Sequence, residues 1–302
     1  MTDTAPLSHN PLRVLDLRPR RDQAVKPAEL IQITGHQGLT LNARRAITIL
    51  WHNAHMQGVD EGRDYVIEID DLKPDHHKGY EMVEEAIIAL MGTILTVRLP
   101  DGRTRRVQFL GGNDLDDPDR PAGALTYSFD KRLVEILKDS AIWGKIALPV
   151  LMAFTSKYAV SLYENAAQWA GLGKKTFQDV SLAEFREMIG VERGKYPAFG
   201  ALNKHVLKPA LLEINALAPF NLTVLPIKEG KKVARLRIGW WNKNKDEMNA
   251  AWQELHRPKV GRRARISGQV DHVQVHEVLP SQSRMLRQHR VSSHSKRESG
   301  AQ

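Results

Sequence analysis

Apolar residues recur with helical spacing in segment 39–56, where Ile47, Leu50, Trp51 and Ala54 follow the i, i+3, i+4, i+7 rhythm of a helix burying one stripe. Thr40 or Asn42 is placed to cap it. Tyr65-Val-Ile-Glu-Ile reads as a strand or extended lead-in, and Asp70 or Asp71 is placed to open a short helix. Segment 79–91 sets Tyr80, Val83, Ile87 and Leu90 on one side, with Glu81, Glu84 and Glu85 largely elsewhere. β-branched alternation in 93–99, the turn sequence Pro100-Asp-Gly-Arg and renewed alternation in 103–110 predict a hairpin. The order is helix, helix, hairpin.

The same order returns further on. Segment 156–169 is periodic, and Ser181-Leu-Ala-Glu184 is a capping box opening a short helix that stops at Gly190. Segment 201–217 predicts a third helix, with Pro209 bending it about midway. Segments 221–227 and 233–240 predict two strands around Lys228-Glu-Gly-Lys-Lys232, and Trp240-Trp241, closing the last strand, is expected to pack within its domain. The turns at Gly102 and Gly230 lie 128 residues apart, one domain length. A three-helix unit followed by a hairpin is the winged-helix arrangement, in which the last helix enters the major groove. The expected architecture is therefore α+β: an arm at 1–26, winged-helix domains at 27–139 and 140–242, and a flexible basic tail at 243–302.

Composition narrows the chemistry. The 302 residues include 44 Lys plus Arg, 35 Asp plus Glu and no Cys, for a net charge of +9. Without Cys there is no disulfide framework, thiolate zinc site, iron–sulfur cluster or Cys nucleophile. The longest apolar run, 146–154, is nine residues where a membrane span needs about 20, and it reads as a core helix. The amino terminus lacks a basic start and apolar stretch, so a cytoplasmic location is expected. Two thirds of the excess charge falls in the last 60 residues, a balance that favours polyanions and above all nucleic acid. The tail is expected to add sequence-independent affinity.

The cations are also locally ordered. On a helical wheel, Leu202, Val206, Leu207, Ala210, Ile214 and Leu217 cover one arc of the third helix, whereas Lys204, His205 and Lys208 cover the other; Asn203 falls nearer the apolar arc. Both hairpins carry cations, Arg103, Arg105 and Arg106 in the first and Lys228, Lys231 and Lys232 in the second. Either hairpin alone also reads as a solvated edge protected from aggregation. A basic helix beside a basic wing points to double-stranded DNA.

Ser156-Lys-Tyr-Ala-Val-Ser-Leu-Tyr-Glu164, Ser181-Leu-Ala-Glu-Phe-Arg186, Lys195-Tyr-Pro-Ala-Phe-Gly200, Asn203-Lys-His-Val-Leu-Lys-Pro-Ala210 and Glu213-Ile-Asn215, in this order and spacing, resemble the second winged-helix domain of plasmid replication initiators of the RepA/RepB type. Weaker similarity reaches back through Pro27. The resemblance implies binding to direct repeats (iterons) in an origin, opening of the adjacent duplex and recruitment of the host replicative helicase. It further implies a homodimer in equilibrium with monomer, the dimer binding an operator inverted repeat and repressing its own gene, with a DnaA-type initiator and DnaK/DnaJ-type chaperones as partners. The first domain would dimerise and reach DNA, and the second would supply the stronger readout. Carried onto this chain, the recognition helix begins at Asn203-Lys204-His205, where relatives often have an arginine run, so the preferred sequence should differ. Lys204 can donate to guanine or phosphate, Asn203 can pair with adenine, and His205 is compatible with more than one contact. Lys195, Tyr196 and Lys208 are assigned to phosphate positioning. His76, His77 and Lys78, leading into the first domain's helix, are its candidates beside the arginine wing.

Catalytic readings fail on spacing. Gly171-Leu-Gly-Lys-Lys-Thr176 lacks the Ser or Thr required directly after the first lysine of a phosphate loop, and Gln168 stands where the first glycine belongs. His52 with His55 and His272 with His276 lack further zinc ligands nearby. Asp114-Leu-Asp-Asp-Pro-Asp119 lacks calcium-loop spacing and reads as a flexible surface connection. Tyr158 and Tyr163 lie on a helix expected to be buried, without the histidines a relaxase needs. No cofactor or metal is expected, and a non-enzymatic DNA-binding protein is the reading. The competitors are a winged-helix repressor without a replication role and a partitioning or scaffold protein whose tail alone binds DNA.

Overall fold

The computed structural model describes residues 17–32, 34–73, 79–98, 102–116, 123–138, 140–173 and 175–268. Residues up to Lys259 form one unit, which contains two apolar cores.

The first core gathers around α2 (Leu41–Gln57), whose N-cap is Thr40, its hydroxyl accepting from the Ala43 amide. Preceding it are β1 (Gln23–Pro27) and α1 (Ala28–Ile31). After it come β2 (Tyr65–Glu68), α3 (Ile69–Leu72), α4 (Tyr80–Met91) and the hairpin β3 (Ile94–Arg98) with β4 (Thr104–Gln108). Then β5 (Leu110–Leu115), β6 (Ala124–Phe129) and α5 (Lys131–Lys138) follow. β6 is central in an antiparallel sheet ordered β2-β6-β5, and its alternation puts Leu125, Tyr127 and Phe129 inward against Trp51 and Tyr65. The acidic segment is thus partly structural: Asp114 lies in β5 opposite Thr126, while 117–119 fall outside the described residues.

The second core gathers around α7 (Lys157–Leu172), capped by the Ser156 hydroxyl. Before it stand β7 (Trp143–Ala147) and α6 (Leu148–Ala153), so the longest apolar run is a strand end followed by a short helix. After it come β8 (Phe177–Ser181), α8 (Leu182–Met188), α9 (Phe199–Leu202), a π-helical turn (Asn203–Leu207), α10 (Lys208–Leu217), β9 (Phe220–Glu229) and β10 (Lys232–Asn242). Both hydrogen bonds of the Ser181–Glu184 capping box are present. β8 pairs with β10 and makes the hairpin a three-stranded sheet, an addition the sequence pattern does not announce because only five residues are involved. Trp240 is buried and stacked on Trp169, but Trp241 points the other way and is 50 % exposed, as strand alternation requires of neighbours. In each half a set of helices is followed by a hairpin, the winged-helix arrangement.

Two expected boundaries move. The arm does not extend to residue 26: β1 begins at Gln23, pairs with β7, and buries Ala24 and Val25 completely. A five-residue strand whose partner lies some 120 residues away leaves no local period to read. Likewise the tail does not begin at 243. Asn244 and Glu247 form a capping box that opens α11 (Lys245–His256), and α11 buries Ala251 and Glu254 while Asn221 of β9 donates to Glu247. The unit from Val260 contains, among its described residues, the short helix α12 (Arg262–Ile266). No helix of the described residues is long and apolar enough to cross a membrane.

The two cores meet at buried polar groups. Lys26 of β1, 2 % exposed, donates to Glu164 of α7 at 2.8 Å and to Thr48 of α2 at 2.9 Å, and the Thr48 hydroxyl donates to the same carboxylate. Arg44 of α2 donates to Ser161 of α7 and to the His36 carbonyl, and Arg45 to the carbonyls of Met152 and Phe154. Burial pulls Arg44 down to about 10, against the opposing pull of Glu164.

Replacing Glu164 with Ala leaves the Lys26 ammonium buried without its counterion, and an equilibrium urea melt is expected to show a loss of about 3–5 kcal/mol. His52 and His55 of α2 are held below the usual 6.5 chiefly by burial, His55's charge adding to the effect at His52. The folded state refuses protons that the unfolded chain accepts, so stability is level above about pH 7 and falls as pH drops below 6.5. Replacing both histidines with Gln should flatten that dependence in the same melts.

Candidate nucleic-acid interface

The helix spanning 199–217 separates its two stripes as its sequence demands. Leu202, Val206, Leu207, Ala210, Ile214 and Leu217 are buried, and Lys204, His205 and Lys208 are exposed, with Asn203 half-buried between them. Pro209 lacks the amide hydrogen an α-helix would use there. The π-helical turn at 203–207 ends two residues before it, so the widened turn absorbs the defect at the position where the cations emerge. The helix consequently continues beyond the proline to Leu217.

The turn before this helix is held from below. Arg186, at the end of α8, donates to the carbonyls of Lys195 and Tyr196, the latter at 2.9 Å. Tyr196 has φ of 50° and its ring stacks on the His205 imidazole, centroids 5.8 Å apart and planes 20° apart. Glu192 receives Lys195 at 2.7 Å and Lys157 at 3.2 Å; hydrogen bonds from Lys195 first and Lys157 second hold its carboxyl below the usual range. The same Glu192 hydrogen bond raises Lys195, whereas burial lowers Lys157 despite that partner. Lys157 also donates to the Gln37 carbonyl, tying this turn to the first half.

The second wing places Lys228, Lys231 and Lys232 in solvent around Gly230, whose φ of 62° closes the turn. Among the described residues no ion pair holds these three, nor Lys204 or Lys208. Lys195 differs, since a phosphate must compete with Glu192 for it. In the first half the wing arginines diverge: Arg103 and Arg106 are exposed, but Arg105 is engaged by Glu135 at 2.7 Å and by the Arg132 carbonyl. The outward face of α4 carries Glu81, Glu84, Glu85 and Ile88, a face that repels phosphate. His76, His77 and Lys78 lie outside the described residues.

Arg186, Glu192 and Lys157 were not candidates on sequence. An acid three residues before a lysine, as at Glu192 and Lys195, is a weak local signal; Arg186 contacts carbonyls nine and ten residues on through a turn whose path no local rule fixes. The Gly171–Thr176 stretch is geometrically unlike a phosphate loop: Gly173, φ 63°, closes the end of α7 instead of opening a helix, and the Thr176 carbonyl accepts from Trp240. Tyr163 is fully buried, its hydroxyl accepting from the Ala147 amide, and Tyr158 is half-buried beside Lys157.

Comparison with known proteins adds a family. The model described as "Initiator Replication protein, WH1" matches residues 23–167, and that described as "Initiator Rep protein, WH2" matches residues 181–240. Among solved structures, the crystal structure of Pi initiator protein in complex with iteron DNA superposes with a TM-score of 0.56 over 74 % of this chain and 98 % of that one, at 18 % identity, which shows a shared fold. No curated protein matches the chain.

Gly190 opens the turn with φ of 69°, and a Cβ there would strike the Arg44 guanidinium and lie 3.0 Å from His36 Nε2. Replacement by Ala adds both left-handed strain and this overlap, and is expected to lower stability by about 1–3 kcal/mol in urea melts.

Proposed function

This chain belongs to the initiator Rep protein family, with both of its winged-helix domains, and on that premise we propose that it binds direct-repeat iteron DNA at a plasmid origin in the bacterial cytoplasm. The observation that carries this reading is the exposed row of Lys204, His205 and Lys208, opposite a fully buried stripe and accompanied by a wing with three lysines outside any ion pair of the described residues. A helix of that composition enters a major groove while the wing follows the phosphates. The solved Pi initiator was determined on iteron DNA, which supports the same ligand class.

In this reading the second domain supplies the main readout, with Lys204 and His205 facing the groove, Lys208 positioned on phosphate and Asn203 at the margin of the surface. The wing arginines Arg103, Arg105 and Arg106 contribute phosphate contacts from the first domain, Arg105 by leaving Glu135. The bound protein opens the neighbouring duplex, helps recruit the host helicase with a DnaA-type initiator, and as a homodimer represses its own gene, with DnaK/DnaJ-type chaperones as further partners. Binding and opening use contact energy and require no catalytic residue.

Footprinting on DNA flanking its own gene, at about physiological salt, should show a ladder of protected direct repeats with reactive thymines in an adjoining AT-rich stretch. One protected palindrome without opening would assign the chain to repression instead. Replacing Lys204 and Lys208 together with Ala should reduce the slope of log K against log salt by roughly 0.9 per lost phosphate contact. Unchanged affinity and slope would remove this helix from the interface and leave a scaffold whose DNA binding lies elsewhere.

A further inference from the structure

Two backbone irregularities meet at one side-chain contact. Among the described residues Tyr196 is the one non-glycine with positive φ, and Asn203–Leu207 is the one π-helical turn. The first belongs to the turn before the DNA-facing helix and the second to that helix, and they touch through the stacked rings of Tyr196 and His205. Left-handed backbone is strained for a tyrosine, and Pro197 adds to the strain because a residue before proline prefers an extended conformation. Glycine would satisfy the backbone without strain, as it does at Gly190 and Gly194 in the same turn. The ring packs at the edge of the second core, and beyond that packing it is held, by Arg186 donating to the carbonyls of Lys195 and Tyr196, where it meets the His205 imidazole.

We propose that Tyr196 is a specificity-determining residue of the DNA interface: its ring fixes the plane of the His205 imidazole so that the imidazole edge meets a base edge in the major groove, with Arg186 as the positioning residue that holds Tyr196. This inference rests on the reading of helix 199–217 as the base-reading helix. The neighbouring cations do not do this work, because an ammonium on a flexible stem binds guanine and phosphate alike as a point charge. An imidazole presents a directional edge, but on an exposed helix face its ring turns about the side-chain bonds. Stacking at 20° to a second ring restricts that freedom before DNA arrives. The widened π turn displaces His205 from the position an α-helix would give it, so ring and turn together set where the edge lies. Tyr196 thus acts in base discrimination and not in the phosphate positioning expected from its sequence context.

The test measures dissociation constants for two duplexes of equal length and base composition, the segment the wild type protects in footprints and a scrambled version of it. Tyr196→Gly removes the ring and relieves the left-handed strain but gives up the ring's packing against the second core, so duplexes are compared at a temperature where its melt shows it folded; there it should keep its affinity for the scrambled duplex and lose about tenfold in the ratio between duplexes, the order of one base contact. Tyr196→Phe keeps the stack and should keep the ratio. Arg186→Lys, unable to serve both carbonyls with a planar fork, should lower the ratio more than the scrambled-duplex affinity. His205→Ala combined with Tyr196→Gly should be no worse in ratio than His205→Ala alone, since both act through one contact. A Tyr196→Gly protein with the wild-type ratio, or additive losses in the double variant, would overturn the proposal. Failure of the underlying reading looks different: replacing Lys204 and Lys208 then leaves binding to both duplexes unchanged, or the wild type itself shows no preference, and the proposal falls with it.

Discussion

The buried pair of Lys26 and Glu164 is the constraint on which the arrangement of both halves depends. It joins β1, near the start of the described chain, to α7, the helix around which the second core is built, and Thr48 of α2 completes the knot. Each charge finds its partner only if β1 lies along β7 with α2 packed beside α7. Taking an ammonium and a carboxylate out of water is costly, and their attraction recovers that cost only with good geometry and further hydrogen bonds, which Thr48 provides by accepting from one and donating to the other. Such a pair contributes little net stability by comparison with an apolar replacement. Its effect is selective, because any register that separates the partners strands a charge.

From this knot a series of polar contacts runs to the turn ahead of the basic helix. Arg44, one helical turn from Thr48, reaches Ser161 and the His36 carbonyl, and Gly190 is packed against both Arg44 and His36. Lys157 joins the Gln37 carbonyl to Glu192, and Glu192 holds Lys195. The turn ahead of the basic helix is therefore founded on both cores. This placement also sorts the cations. Lys157, Arg186 and Arg105 are engaged in holding the backbone or carboxylates, whereas Lys204, Lys208 and the second wing's lysines remain in solvent, available to a polyanion.

Several elements were legible because their causes are local. Thr40 caps α2 and Ser181 with Glu184 forms a capping box, since cap chemistry involves residues three apart. The split of helix 199–217 into Leu and Lys stripes follows from its period, and the second hairpin closes at Gly230 as its turn sequence requires. The misses have equally physical causes. β1, β7 and β8 are strands of five residues each whose partners are remote, so their pairing is a product of the assembled cores. The helix at 245–256 is not announced by its sequence although Asn244 and Glu247 carry its cap, because the basic balance of the whole segment masks an amphipathic stretch burying only Ala251 and Glu254.

By itself the sequence determined that each half is a set of helices followed by a hairpin, that one helix bears cations opposite its buried stripe, and that thiol chemistry is absent. Those conclusions depend on periodicity, caps and composition, which act over a few residues. Tertiary structure alone decided that Arg105 is tied to Glu135 while Arg106 is exposed, and that Tyr196 is clamped by Arg186 against His205. Each of these turns on which groups lie within a few ångströms after the cores have closed, and a charge or a ring has no preference among distant partners until packing removes the alternatives.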